Sequence, residues 1–203
     1  MIEPHDIFRE LSRDVIGQDH ALREMAVGLY KHMIGHSAGN VLLIGNSGTG
    51  KTTIMKAVER FLRESTEFRK YSTIIRLNAN VVADLASRGS QSNVIMDRLA
   101  EAARVALGKD ATLENMREYV SHGIVNVDEV DKIRAEVRGE PNVKGIVAQD
   151  SLLTLMENED ITVTLPYWNG REWAQENAVI NTRHILFVSG GAFEDLYNLV
   201  YDR

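Results

Sequence analysis

The stretch LLIGNSGTGKTT, residues 42–53, constrains the fold of this chain more than any other segment. Gly45, Gly50, Lys51 and Thr52 complete the spacing GxxxxGK(S/T) between an apolar run, VLLI, and an amphipathic run, KTTIMKAVERFL. Glycines reach backbone angles that turn several N–H groups toward one anion, and a helix that follows adds the positive end of its dipole. The whole turn, Gly45, Asn46, Ser47, Gly48, Thr49, Gly50, Lys51, Thr52 and Thr53, is therefore expected to cradle the phosphates of ATP or ADP. Lys51 is expected to reach the outer phosphates and the Thr52 hydroxyl to ligate magnesium. A glycine-rich turn that binds nothing is the plainer alternative, and the strand before with the helix after weighs against it.

A second segment, GIVNVDEVDKI at residues 123–133, strengthens the first. A buried strand that ends in acid can set Asp128 beside a metal's water shell, next to the phosphate loop in a parallel sheet. The adjacent Glu129 can then orient and polarise an attacking water, so Lys51, Asp128 and Glu129 form the expected catalytic group. Read alone, the same pair is an exposed acidic turn after a core strand. Asn126 is a polar residue inside that apolar strand, facing a polar edge or a backbone partner.

Helical and strand patterns alternate along the chain, which predicts an α/β fold with a mostly parallel sheet. Apolar residues from Ala21 to Met33 recur on one helical face, as do Val94, Ile95, Leu99, Ala102, Ala103 and Ala106. VLLI, STIIRLN, GIVNV and HILFV read as buried strands, separated by helices as a doubly wound sheet requires. RGEPNVKG reads as a loop, IVAQDSLLTLMEN as a helix, and SGG as a turn before a short last helix. ITVTLPYWNGREWAQENAVI alternates around Asn169-Gly170 and predicts a hairpin. The chain has 203 residues, 44% hydrophobic and 26% charged, which suits one core-forming domain. With no Cys, disulfides and thiolate metal sites are excluded. A net charge of -6 argues against a broad nucleic-acid footprint. No apolar run is long enough to span a bilayer, and the polar, acidic start does not read as a signal peptide, so a cytoplasmic protein is expected.

Four blocks in order, DVIGQDHALREMAVGLYKHM, LLIGNSGTGKTT, GIVNVDEVDKI and ILFVSGGAF, resemble the Clp-type AAA+ ATPases, and within them the ClpX unfoldases. The resemblance runs from about Asp14 to Leu196. It implies a large nucleotide-binding subdomain over residues 1–203, with 1–40 a helical lead-in and no zinc domain or C-terminal lid. It further implies an adenine pocket formed by Val15, Ile16 and Gly17, and a polar sensor at the end of the fourth core strand, where Ser189 is the nearest residue. Ser189 is equally a member of the SGG turn. Magnesium-dependent ATP hydrolysis coupled to protein remodelling, a hexameric ring, and a protein substrate or adaptor are the implied activity and partners. A nucleotide-controlled scaffold with little turnover and a nucleic-acid motor or loader are the alternatives.

The resemblance also meets departures. Where ClpX-like motors carry an aromatic substrate-gripping loop, this chain has ASRGSQS, Ala86–Ser92, which keeps a glycine but has no aromatic residue. No arginine matches the family's arginine finger. His32 and His36 share i,i+4 spacing, yet Gly35 weakens the helix and no third ligand is evident. Tyr167, Trp168 and Trp173 suit hairpin packing or a partner-contact patch. Arg134 and Arg138 fall in a charged turn after the acidic pair, where ClpX-like rings present a second substrate loop.

Overall fold

The computed structural model describes residues 2–36, 39–65, 68–79, 81–82 and 91–194. Helices α1 (Pro4–Leu11) and α2 (Asp19–Met33) precede strand β1 (Val41–Ile44), and α3 (Lys51–Glu64) leads to β2 (Ile74–Asn78). Two helices, α4 (Gln91–Leu107) and α5 (Leu113–Ser121), lead to β3 (Ile124–Asp128). After it come the two-residue strands β4 (Glu136–Val137) and β5 (Glu140–Pro141), then α6 (Val143–Met156). A long hairpin, β6 (Asp160–Trp168) and β7 (Trp173–Asn181), precedes the last strand, β8 (Leu186–Gly191).

The central sheet has the spatial order β1-β8-β3-β2, and each of its three pairings is parallel. Strand side chains alternate between two faces, and both faces are apolar, so both must be covered. Ile74, Ile124, Leu186 and Val188 pack with α1, α2 and α3 on one side. Ile75, Val125, Val127 and Phe187 pack with α4, α5, α6 and the β6–β7 hairpin on the other. The expected α/β architecture, a parallel sheet flanked by helices with an inserted hairpin, is the one observed.

Several local expectations change. SGG is not a turn: Ser189, Gly190 and Gly191 continue β8, level with Leu42, Leu43 and Ile44 of β1. Glycine spares a displacement there: a Cβ on Gly190 would lie 2.9 Å from the Met55 methyl and one on Gly191 2.7 Å from Asp131 Oδ1, so either side chain would have to move. RGEPNVKG is not only loop, since it holds β5, which pairs with β4 just before it, and the first turn of α6. Helix α5 escaped the apolar-pattern reading because it is short; Thr112 caps it by accepting from the Asn115 N–H at 3.2 Å. The hairpin expected around Asn169-Gly170 is observed. Trp168 pairs with Trp173, leaving four residues in the loop, and Asn169 Oδ1 accepts from the N–H groups of Arg171 and Glu172.

The hairpin aromatics pack as a group. Trp168 and Trp173 meet edge to face at 5.7 Å, with Lys109 over the first ring and Arg104 over the second. Residues 86–90 of the ASRGSQS stretch, and the expected helix after Glu194, lie outside the described residues.

Candidate functional site

The site lies at the C-terminal ends of β1, β3 and β8, where β1 turns into α3. Ligands of open parallel sheets collect at that edge, because strand ends and helix N-termini converge there. Gly48 and Gly50 take φ angles of 83° and 91°, the left-handed region that side chains disfavour. Gly45 is needed for space: a Cβ there would lie 2.8 Å from Thr49 Oγ1. Thr49 Oγ1 donates to the Asn46 carbonyl at 2.9 Å, closing the loop on itself. The Gly45 N–H bonds to the Gly191 carbonyl at 3.2 Å, which ties the loop to β8.

Lys51 sits in the first turn of α3, and its ammonium donates to the carbonyls of Gly45 and, at 2.9 Å, Asn46. Its charge is thus held inside the loop's curve. Thr52 Oγ1 donates to Asp128 Oδ2 at 2.7 Å, across 76 positions of sequence. That contact joins the two motifs the sequence singled out. Two oxygen donors at one point are the ligand type magnesium takes, so the residues fit the implied metal. Glu129 follows with φ 57°, a left-handed angle for a side-chain-bearing residue, and its carboxylate accepts from Asn78 Nδ2 at 2.7 Å. Such strain persists only where the surroundings fix it. Asn78, at the end of β2, sits level with Asp128 in the sheet.

A cleft of about 400 Å³ opens over these groups. Ser47, Gly48, Gly50, Lys51, Thr52 and Thr53 line one side of it, and Asp128, Glu129 and Asp131 another. Lys132, Gly191, Ala192 and Glu194 complete the wall. Ser189 lies inside β8, 6% exposed, and is not among the lining residues. The N-terminal trio divides: Val15 is buried with the α1–α3 core, Ile16 is 93% exposed, and Gly17 turns the chain at φ 78°. None of the three lines the cleft.

Sequence reasoning missed Asn78, Asp131 and Gln18. Gln18 Nε2 donates to the Thr49 carbonyl at 2.9 Å, fastening the start of α2 to the phosphate loop. Gln18 does lie in the quoted block DVIGQDH, beside a positive-φ glycine, and that was its only signal. Asp131 likewise lies in the quoted block GIVNVDEVDKI, whereas Asn78 enters through sheet register, which no local pattern announces.

His32 is buried in α2, 5% exposed, with Nε2 3.2 Å from the His122 carbonyl and its ring edge-on to Tyr71. His36 is exposed beyond the helix end. Among the described residues no group of His, Cys, Asp or Glu is arranged to hold a metal by itself, and no helix is long and apolar enough to cross a membrane.

Comparison with known proteins gives this arrangement relatives. The protein named ATP-dependent Clp protease ATP-binding subunit ClpX from Bacteroides fragilis is 30% identical over 217 residues, 99% of this chain and 47% of the relative. The protein of that name from Bacteroides thetaiotaomicron gives the same figures. The one from Porphyromonas gingivalis is 28% identical over 216 residues, 98% of this chain and 47% of the relative. The chain thus spans about half the length of the curated relatives it matches. The family model described as AAA domain (Cdc48 subfamily) matches residues 36–201, a span that takes in the loop, the acid pair and β8. By that match, over a fold and a cleft that agree with it, the chain belongs to the AAA domain family (Cdc48 subfamily).

Proposed function

We propose that this chain binds ATP with magnesium and hydrolyses it, as the nucleotide-handling part of an assembly that remodels proteins. The observation that carries the reading is the 2.7 Å bond between Thr52 and Asp128, which sets the phosphate loop and the acid-tipped strand as one site. The loop N–H groups and the N-terminus of α3 would hold the β- and γ-phosphates, with Lys51 swinging from its own loop carbonyls onto them. Thr52 directly, and Asp128 through water, would hold magnesium, which when bound offsets phosphate charge. Glu129 would accept a proton from a water as its oxygen attacks the γ-phosphorus; the bond to the bridging β–γ oxygen breaks and ADP leaves with it. Asn78 is then a positioning residue that holds the Glu129 carboxylate.

The roles of Val15, Ile16 and Gly17 around adenine, and of Ser189 as sensor, remain part of the proposal through family resemblance. Ser189 could act only indirectly, through the strand whose end forms the cleft wall. The relatives' names describe an ATP-binding subunit of an ATP-dependent protease. On that basis a protein substrate or adaptor and a ring of like subunits, six in the family assembly, are the partners proposed here. Titration of Mg-ATP into the Lys51→Ala variant tests the reading. Affinity should fall at least about tenfold, as loss of a phosphate-pairing charge implies. Unchanged affinity would remove the phosphate loop from the account.

A further inference from the structure

Among the described residues the outer edge of β2 has no strand partner, because β2 ends the order β1-β8-β3-β2. Exposed strand edges carry unpaired backbone donors and acceptors, and proteins ordinarily blunt or cover them. Here the edge lies at the floor of a groove of about 700 Å³ between α3 and α4. Ile74, Ile75 and Arg76 of β2 line the floor, Leu62 and Arg63 of α3 one wall, and Arg98, Ala102 and Val105 of α4 the other.

Its charge is one-sided. Arg63, Arg76 and Arg98 are all exposed and form no ion pair among the described residues. The single carboxylate among the described lining residues, Glu101, is already bound by two guanidinium nitrogens of Arg104, at 2.5 and 2.7 Å. On a chain of net charge -6, three uncommitted guanidiniums around one edge strand form a local positive site. Val105, 70% exposed, adds an apolar contact beside them.

We propose that this groove docks an extended, acidic segment of a partner protein, which adds a strand to the free edge of β2. The edge supplies main-chain hydrogen bonds, and side chains alternating along the added strand reach the two walls. Carboxylates toward the α3 side meet Arg63 and Arg76, while the α4 side offers Arg98 and the apolar Val105. A nucleic acid would meet the same charge but could not pair with a strand edge, so the edge favours a peptide. The groove lies on the sheet edge opposite β1, which carries the phosphate loop, so occupancy leaves the nucleotide cleft open.

A fluorescein-labelled peptide of about ten residues alternating Asp and Val, long enough for one strand, probes the groove by anisotropy. Binding with a Kd of order 10–100 µM is expected, as for a small transient interface. Reversing two charges, Arg76→Glu with Arg98→Glu, should weaken it about tenfold, since exposed ion pairs are lost and like charges take their place. A peptide N-methylated at alternate residues, which cannot pair as a strand, should bind at least about tenfold more weakly. Amide shifts in the unmodified chain should concentrate at Ile74–Arg76, a readout that needs no variant to fold. The proposal is overturned if the acidic peptide does not bind, if N-methylation or charge reversal leaves binding unchanged, or if the shifts fall elsewhere. Equal or tighter binding of a single-stranded oligonucleotide of similar charge would overturn it too.

Discussion

Thr52 and Asp128 show how little of the site depends on long side chains: a hydroxyl and a carboxylate meet at 2.7 Å because the backbone brings them together. Thr52→Ala should leave the fold intact yet remove one of the oxygen ligands proposed for magnesium. ATP binding should lose most of its magnesium dependence, read by titration with and without the ion. Asn78→Ala frees the Glu129 carboxylate, which Asn78 holds at 2.7 Å. It should lower kcat for ATP hydrolysis about tenfold or more while KM changes little, because a positioning defect acts on the transition state. His32 governs another property. Burial pulls its pKa from 6.5 down to about 4; the bond to the His122 carbonyl opposes this, and the charges of His122, His184 and Lys70 add to it. From pH 6.5 down to about 4, the unfolded chain binds a proton here that the folded chain does not. The resulting stabilisation is complete above that window, falls as pH drops through it and amounts to about 3 kcal/mol. His32→Phe should flatten denaturant-measured stability across the same window. That Lys51, Thr52, Asp128 and Glu129 line one cleft was legible, because phosphate and metal chemistry dictates residue types at set spacings. Asn78 was not, since its role arises only from its register beside Asp128.

At the scale of elements, two helix glycines invite opposite expectations. Gly28 lies within α2, where an added Cβ would make an ordinary 3.6 Å contact with Val41. Gly28→Ala should stabilise by about 0.5–1 kcal/mol through helix propensity. Gly145 lies in the first turn of α6, and a Cβ there would fall 1.8 Å from the Arg134 carbonyl oxygen. Gly145→Ala must shift α6 off the turn after the acid pair, at about 3 kcal/mol, or roughly 6–12 °C in Tm. Thermal melts of the two variants beside the unmodified chain check both signs. Periodicity had identified the large elements, because each carries a full apolar face or run. It failed where tertiary packing decides: Gly190 and Gly191 resemble turn residues until Met55 and Asp131 are seen pressed against them. Asn169-Gly170 signalled the hairpin itself, and the cross-strand pair Trp168 and Trp173 sets its loop at four residues.

Across the whole molecule, the sheet divides the core into two clusters and holds the phosphate loop and acid pair at one edge. Alternation of helix and strand signalled this architecture, since a parallel sheet needs crossovers that cover both faces. The exposed face of β1 was less legible: Leu42 and Ile44 are 51% and 57% exposed, although VLLI reads as a fully buried run. Its apolar residues reflect a place at the sheet's end that composition does not reveal. The central claim is that this fold positions Glu129 for water attack on ATP. Its most direct measurement is single-turnover phosphate release from Mg-ATP bound to the assembled protein, with and without Glu129→Gln. The account predicts ATP affinity within about twofold of the unmodified protein and release slowed at least about a hundredfold. Release at an unchanged rate in the variant, or ATP bound without hydrolysis by the unmodified assembly, would contradict it.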